Sequence, residues 1–286
     1  MVHGFRKNQG FLASGDDYEA AKIVLAGIPF DTTASFRPGA RWGPGAIRAV
    51  SEVLEEYSPY LKRQLGEVPF YDTGDLDLPP GRVEANLEHI EAAAAALFQD
   101  GKLPIFMGGE HLVSYPLIRA AHRSYPGLAV LHFDAHADLR EEYLGERFSH
   151  ATVMRLVAEE IGPGNIYQFG IRSGTWGEFA YGQEETNFFM DAITVPLEKL
   201  VPELVSRPLY ISIDIDVVDP AFAPGTGTPE PGGCTPREIL QAIYLLRRAR
   251  VVAFDLVEVC PAYDQADITA ILAAKIIREA ILAWNR

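Results

Sequence analysis

The chain has 286 residues, 48% hydrophobic and 22% charged, and a formal net charge of -14; this is an ordinary soluble globular composition, long enough to bury a substantial core. The charge argues against nucleic acid and against an anionic membrane surface as partners, because like charges repel, and it suits a small cationic substrate or bound metal ions. Residues 1–18 hold no apolar segment behind a basic start, and no apolar run is long enough to span a bilayer, so the expected location is cytoplasmic. Cys234 and Cys260 form no CxxC pair and are read as small buried or half-buried residues.

Apolar runs of strand length recur at Lys22–Phe30, Val68–Asp72, Leu103–Met107, Leu128–Phe133, Asn165–Ile171, Ala192–Val195, Leu209–Ile215 and Val251–Val259. Helical patterns lie at Gly45–Tyr57, Val83–Asp100, Val113–Tyr125, Ala151–Ile161, Leu197–Leu204, Pro236–Ala249 and Ile268–Asn285. Thr235-Pro236-Arg237-Glu238 reads as a capping box with proline at the first helical position. Strands apolar on both faces and alternating with helices predict an α/β fold with a mainly parallel, doubly covered sheet. No linker or repeat interrupts the alternation, so residues 1–286 are read as one domain.

In such sheets ligands bind beyond the carboxyl ends of the strands, and the polar clusters fall there. Leu103–Met107 runs into Gly108-Gly109-Glu110-His111. Leu128–Phe133 runs into Asp134, His136 and Asp138, three potential ligands within five residues, and a carboxylate, an imidazole and a carboxylate at that spacing can close on one metal or on a pair. Asp214 and Asp216 are predicted on one face of a buried strand, where two carboxylates without a cation would be prohibitively desolvated. Glu258 ends the last strand. His111 reads as a helix cap or a ligand, and His150, beside Ser149 at a helix start, as a cap-region residue or a catalytic acid. His132 reads as a core histidine or one that holds a ligand in place. His3, His89 and His122 carry no assigned role.

Gly108-Gly-Glu-His111, Asp134-Ala-His-Ala-Asp138, Ser149-His150, Ser212-Ile-Asp-Ile-Asp-Val-Val-Asp-Pro220 and Asp255-Leu-Val-Glu258 resemble the motifs of the ureohydrolase family, from about Gly27 to the last helix. Ser35-Phe-Arg-Pro-Gly-Ala-Arg-Trp-Gly-Pro44, Gly170-Ile-Arg-Ser173 and Ala223-Pro-Gly-Thr-Gly-Thr228 look like its bacterial agmatinase branch. The resemblance implies a three-layer α/β/α, arginase-like sandwich around an eight-stranded, mainly parallel sheet, usually assembled as a homo-oligomer, a trimer or hexamer. It also implies two Mn²⁺ per chain, bridged by Asp134 and Asp214, with His111 and Asp138 completing one shell and His136 and Asp216 the other. Four carboxylates and two imidazoles are hard donors that suit manganese better than structural zinc.

The implied reaction is hydrolysis of agmatine to putrescine and urea. An ionised water, with Asp138 as its hydrogen-bond acceptor, attacks the guanidinium carbon; Glu258 orients the guanidinium, and His150 passes a proton to the leaving amine. Alternatives are another guanidino substrate (aminopropylagmatine, guanidinobutyrate or arginine), an amide deacetylase of the same fold, and a metal-binding protein without catalysis. Ala137 stands where many relatives have Thr, and Ala151-Thr152-Val153 departs from the usual tripeptide after the histidine, which bears on pocket shape. Loop 139–149, where Glu141, Glu142 and Glu146 outnumber Arg140 and Arg147, is expected to rim the pocket with net negative charge and to favour a cationic substrate tail.

Overall fold

The computed structural model describes residues 2–7 and 9–285. Among them the strands are β1 (Phe5–Arg6), β2 (Ile23–Ile28), β3 (Tyr57–Ser58), β4 (Arg63–Gln64), β5 (Phe70–Leu76), β6 (Leu103–Gly108), β7 (Ala129–Phe133), β8 (Ile166–Ile171), β9 (Asn187–Met190), β10 (Leu209–Asp214) and β11 (Val251–Val257). The α-helices are α1 (Gly43–Ser51), α2 (Val83–Gln99), α3 (Ser114–Ser124), α4 (Val153–Ile161), α5 (Trp176–Glu185), α6 (Thr194–Leu204), α7 (Pro236–Leu245) and α8 (Ile268–Trp284). No helix among them is long and apolar enough to cross a membrane.

The main sheet runs β1-β5-β2-β6-β11-β10-β7-β8-β9. Eight of its strands are parallel, the number expected, and the two-residue β1 adds a ninth, antiparallel to β5. Because helices cover both faces, the central strands are buried throughout and read as continuous apolar runs. Alternate residues point to opposite layers: Ile211 and Ile213 pack with Ile47 of α1, Leu197 of α6, Ile243 of α7 and Ile277 of α8, whereas Tyr210 packs with Leu97 of α2, Leu117 of α3 and Val157 of α4. The result is an α/β/α sandwich.

One predicted element is corrected and one helix is new. Ala192–Val195 is not a strand; the outer strand is Asn187–Met190, and α6 begins at Thr194. The β-branched Ile193-Thr194-Val195 mimics a strand before Pro196, but proline is tolerated in a first helical turn, whose N–H groups have no intrahelical partner. Helix α5 has no counterpart in the sequence reading, although Thr175 and Glu178 form a reciprocal capping box in the form recognised at Thr235–Glu238. Its two glycines obscure the helical period. Gly182 is needed, since a Cβ there would lie 2.5 Å from the Phe188 ring of β9.

The four adjacent strands β6, β11, β10 and β7 stand at the centre of the sheet, and the segments leaving their carboxyl ends hold His111, Glu258, Asp214 and Asp216, and Asp134 to Asp138. Gly109 closes this edge. Its carbonyl accepts from the Glu258 amide (2.8 Å), and the next amide, that of Glu110, donates to the Phe30 carbonyl (2.7 Å). A Cβ on Gly109 would lie 1.8 Å from that carbonyl oxygen, so the backbone would have to move. Gly109→Ala is therefore expected to cost about 1–3 kcal/mol of stability, read by denaturant unfolding; an unchanged midpoint would mean that the turn yields freely.

Candidate metal centre

Past the strand ends lies a cavity of about 260 Å³, whose lining includes His111, His136, Asp138, His150, Asp214 and Glu258. Asp134 and Asp216 are buried behind it. The two aspartates of 214–216 reach the cluster by a route different from the one predicted. β10 ends at Asp214 and Ile215–Val217 is a 3-10 turn, so a turn and not a pleat aligns them; Asp214 Oδ1 caps that turn by accepting from the Asp216 amide at 2.9 Å.

Each of three carboxylates has one oxygen fixed by a backbone amide and the other aimed at an imidazole. Asp134 Oδ1 accepts from His136 N (2.6 Å), and Asp216 Oδ1 accepts from Ala135 N (3.1 Å). The outward Oδ2 atoms of Asp134, Asp138 and Asp214 lie 3.0, 3.2 and 3.4 Å from His111 Nδ1, and Asp216 Oδ2 lies 2.9 Å from His136 Nδ1. The donors fall into two groups that share Asp134: one with His111, His132 and Asp138, the other with His136 and Asp216.

The His111 tautomer decides what this cluster is for. Ser212 Oγ donates its only proton to Asp255 Oδ1 (2.7 Å), and Tyr210 holds Asp255 Oδ2 (2.5 Å). Ser212 can then only accept from His111 Nε2, 3.1 Å away, which leaves Nδ1 to face the carboxylates, with a proton while no ion is bound or with a lone pair for an ion. That buried Nδ1 has no hydrogen-bond partner, although three carboxylate oxygens face it within 3.4 Å. A lone pair opposed to three anions is stable only with positive charge between them, so the residues fit a metal ion.

His132 is settled the same way. Gln168 Nε2 donates to the Ala137 carbonyl (2.8 Å) and faces His132 Nδ1 (3.1 Å), so Nδ1 accepts and Nε2–H donates to Asp134 Oδ2 at 2.8 Å. His132 thus holds Asp134 through its N–H, its other nitrogen being taken by Gln168.

Without an ion, protons supply the positive charge that the cluster calls for. Burial, with Asp216 and Asp134 nearby, pushes Asp214 well above the usual carboxylate range, and burial with Asp134 raises Asp216. Burial alone would lower His111 and His136, but the carboxylates facing them overcome it, holding His111 well above an ordinary imidazole and His136 at about 12. Burial, with Asp216 and Asp138 nearby, lifts Glu258 to about 8, although the His111 amide donates to its Oε1 at 2.8 Å. Asp138 and Glu258 both hold positive φ (53° and 64°), a left-handed strain of about 1–2 kcal/mol each. Two strained carboxyl-bearing residues aimed into one cavity mark a working site.

A model of the arginase family matches residues 21–283. The chain belongs to the arginase family. An agmatinase from Halalkalibacterium halodurans is 49% identical over 277 residues, 96% of each chain. The crystal structure of a putative agmatinase from Clostridium difficile superposes with a TM-score of 0.90 at 40% identity, covering 94% of this chain and 99% of that one. The agmatine ureohydrolase of Thermoplasma volcanium gives 0.88 at 35% identity, with 97% and 94% covered.

In this arginase-family chain the rim differs from expectation. From loop 139–149 only Arg140 and Tyr143 line the cavity; Glu141 pairs with Arg155 (3.1 Å), and Glu142 and Glu146 are exposed outside it. The net charge of the loop therefore does not set the charge of the pocket. Ala137 is buried, and Thr152 closes a capping box with Ser149. Sequence reasoning missed Thr33 and Ser35, which bracket His150: the ring Nδ1 lies 3.0 Å from the Thr33 carbonyl, which can only accept, and Nε2 lies 3.2 Å from Ser35 Oγ. It also missed Glu110, whose carboxylate binds the Thr33 amide and hydroxyl. No local signal marks Thr33, because its bonds go 77 and 117 residues away.

Titrating chelated protein with Mn²⁺ separates donors from supports. Asp214→Ala is expected to lose metal retention altogether. His132→Gln should keep the wild-type stoichiometry at about 10–100-fold weaker affinity. Wild-type affinity in the first variant would remove Asp214 from the donor set, and a lower stoichiometry in the second would make His132 a ligand.

Proposed function

We propose that this protein hydrolyses the guanidino group of agmatine to putrescine and urea with two Mn²⁺ per chain. His111, Asp134, His136, Asp138, Asp214 and Asp216 would hold the ions, His111 with Asp138 on one side of the cluster and His136 with Asp216 on the other. The observation that carries the reading is the buried Nδ1 of His111, facing three carboxylate oxygens within 3.4 Å in the same cavity as Glu258. The agmatinases to which the chain is similar over nearly its whole length support the substrate.

When bound, the ions supply Lewis-acid chemistry that brings the ionisation of water toward neutral pH. The side chains do the rest. Glu258 presents its carboxyl group to the guanidinium, whose positive charge favours the ionised form; its Oε1 is held by the His111 amide, so the group stays in place and the substrate carbon is fixed for attack. Asp138 lines the cavity and accepts a hydrogen bond from the attacking water. Water adds to the guanidinium carbon, the bond from that carbon to the tail nitrogen breaks, and a proton moves to the leaving amine. His150 carries that proton. Its Nδ1–H donates to Thr33, so the bare Nε2 faces Ser35 and the cavity, and burial keeps the ring neutral, which lets Nε2 take the proton released by the attacking water and pass it to the amine. The proposed assembly is a homo-oligomer, a trimer or hexamer.

One observation favours a second reading. Arg140 lines the cavity 3.3 Å from Glu178, and a substrate with an anionic tail could take up that guanidinium. A urea-release panel separates the two. We expect kcat/KM for agmatine to exceed that for arginine or guanidinobutyrate by about 10²-fold or more; faster turnover of an anionic-tailed substrate would overturn the choice of agmatine.

The roles of Glu258 and His150 have their own signatures. Glu258→Gln should retain both ions and lose about 10²-fold in kcat/KM; loss of metal would make it a ligand. His150→Ala should keep its metal, slow by about 10²-fold or more, and recover in part with added imidazole. An unaltered kcat would exclude the proton-transfer role.

A further inference from the structure

Residues 170–173 offer no metal donor, yet they bind both turns that do. The amides of Arg172 and Ser173 donate to the Ala135 carbonyl (2.8 and 2.9 Å), and the Ala137 amide donates back to the Ser173 carbonyl (3.1 Å). This fastens the segment to the Asp134–Asp138 turn. The Arg172 guanidinium reaches the other way. Nη2 donates to the carbonyls of Asp216 and Glu230 (both 2.7 Å), Nη1 to those of Val217 and Gly170 (both 3.3 Å), and Nε to those of Glu230 and Pro231 (3.3 and 3.2 Å).

All of these bonds end on main-chain carbonyls, so the side chain is a tie between segments and not one half of a charge pair. The surroundings are shaped to it. A Cβ on Gly233 would lie 2.7 Å from Arg172 Nη2, and Gly170, at φ +83°, leaves room that a Cβ would take from Val217 (2.8 Å) and the Asp134 carbonyl (3.2 Å). Asp219 Oδ2 holds the amides of Gly232 and Gly233 (2.8 and 3.1 Å), so the loop meets the guanidinium already folded. Only a planar fork of five N–H groups meets carbonyls diverging into three segments; an ammonium offers three donors from one point.

We propose that Arg172 is a positioning residue that holds the Asp134–Asp138 and Asp214–Val217 turns at their working separation, and so sets the metal affinity of the His136–Asp216 half of the site. This inference rests on the two-metal reading above. Both halves take donors from the two turns so joined, but the donors particular to this half, His136 and Asp216, have no anchor outside them: they lie 2.9 Å apart, with Asp216 Oδ1 bound to the Ala135 amide, whereas the other half also has His111. His111 leaves a different strand, β6, and is oriented by Ser212 and Glu258. Thr228 Oγ1, 3.5 Å from Asp216 Oδ2, lies on the loop whose Glu230 the guanidinium also holds.

The test is a calorimetric Mn²⁺ titration of full-length, chelated wild type, Arg172→Lys and Arg172→Met, with Mn²⁺ electron paramagnetic resonance to detect the coupled pair. In both variants one ion should bind about 10–100-fold more weakly and the other within about threefold of wild type. The coupled-pair signal should fade at metal concentrations that saturate wild type, with the unfolding midpoint of the chelated protein little changed. Lysine keeps the charge, so Arg172→Lys carries the test if Arg172→Met fails to fold. Unchanged affinities would overturn the inference. So would a parallel loss of both ions together with a lower midpoint, which marks a merely structural role. Fewer than two ions on wild type would instead overturn the two-metal reading itself.

Discussion

Four buried or nearly buried carboxylates, Asp134, Asp138, Asp214 and Asp216, crowd the carboxyl edge of the central strands, and the structure around them answers that concentration of charge. Left to themselves they would spread, protonate or draw in water. Backbone amides hold three of them, and the polar interior of the chain steadies what surrounds them. Ser212, Asp255 and Tyr210 fix one imidazole, Gln168 and His132 secure Asp134, and Arg172 ties the turns together. What is held rigid is a negatively charged nest of defined shape. Its order belongs to the fold, so a cation entering it meets donors already aligned.

How much of this the sequence discloses depends on the range of the interaction. Seven of the eight parallel strands are legible because burial leaves apolar runs of strand length. The candidate donors are legible because a buried Asp is costly without a cation or a hydrogen-bond donor beside it, and because each lies just past one of those runs. Helix α5 and strand β9 are not: the glycines of α5 erase its periodicity, although Thr175-Trp-Gly-Glu178 carries a sound capping signal, and β9 is a short outer strand that is only half-buried. The pleat argument for Asp214 and Asp216 brings the right residues together for an incomplete reason, since a strand that ends one residue early hands the alignment to a turn.

The supporting residues are the least visible. Thr33, Gln168 and Arg172 are commonplace as letters, and their importance lies in partners tens of residues away. Loop 139–149 errs in the opposite sense: its glutamates are conspicuous in the sequence, but the side chains that reach the cavity are Arg140 and Tyr143. Charge counted along a loop says little about charge inside a pocket, because alternate side chains face different ways.

The spread of the site along the chain has a kinetic consequence. His111 and Glu258, which touch through an amide and a carboxylate, are 147 residues apart, and the donors between them leave separate strands of one parallel sheet. No early fragment of the chain can assemble the nest, because its parts meet only when β6, β7, β10 and β11 lie side by side. Parallel pairing of distant segments is slow to form, since chain entropy is lost before contacts offset it. A cation that recognises only the finished arrangement cannot hasten that search; it acts afterwards by retarding escape from the native state. For this molecule, then, metal is a guard on lifetime and not a template for assembly.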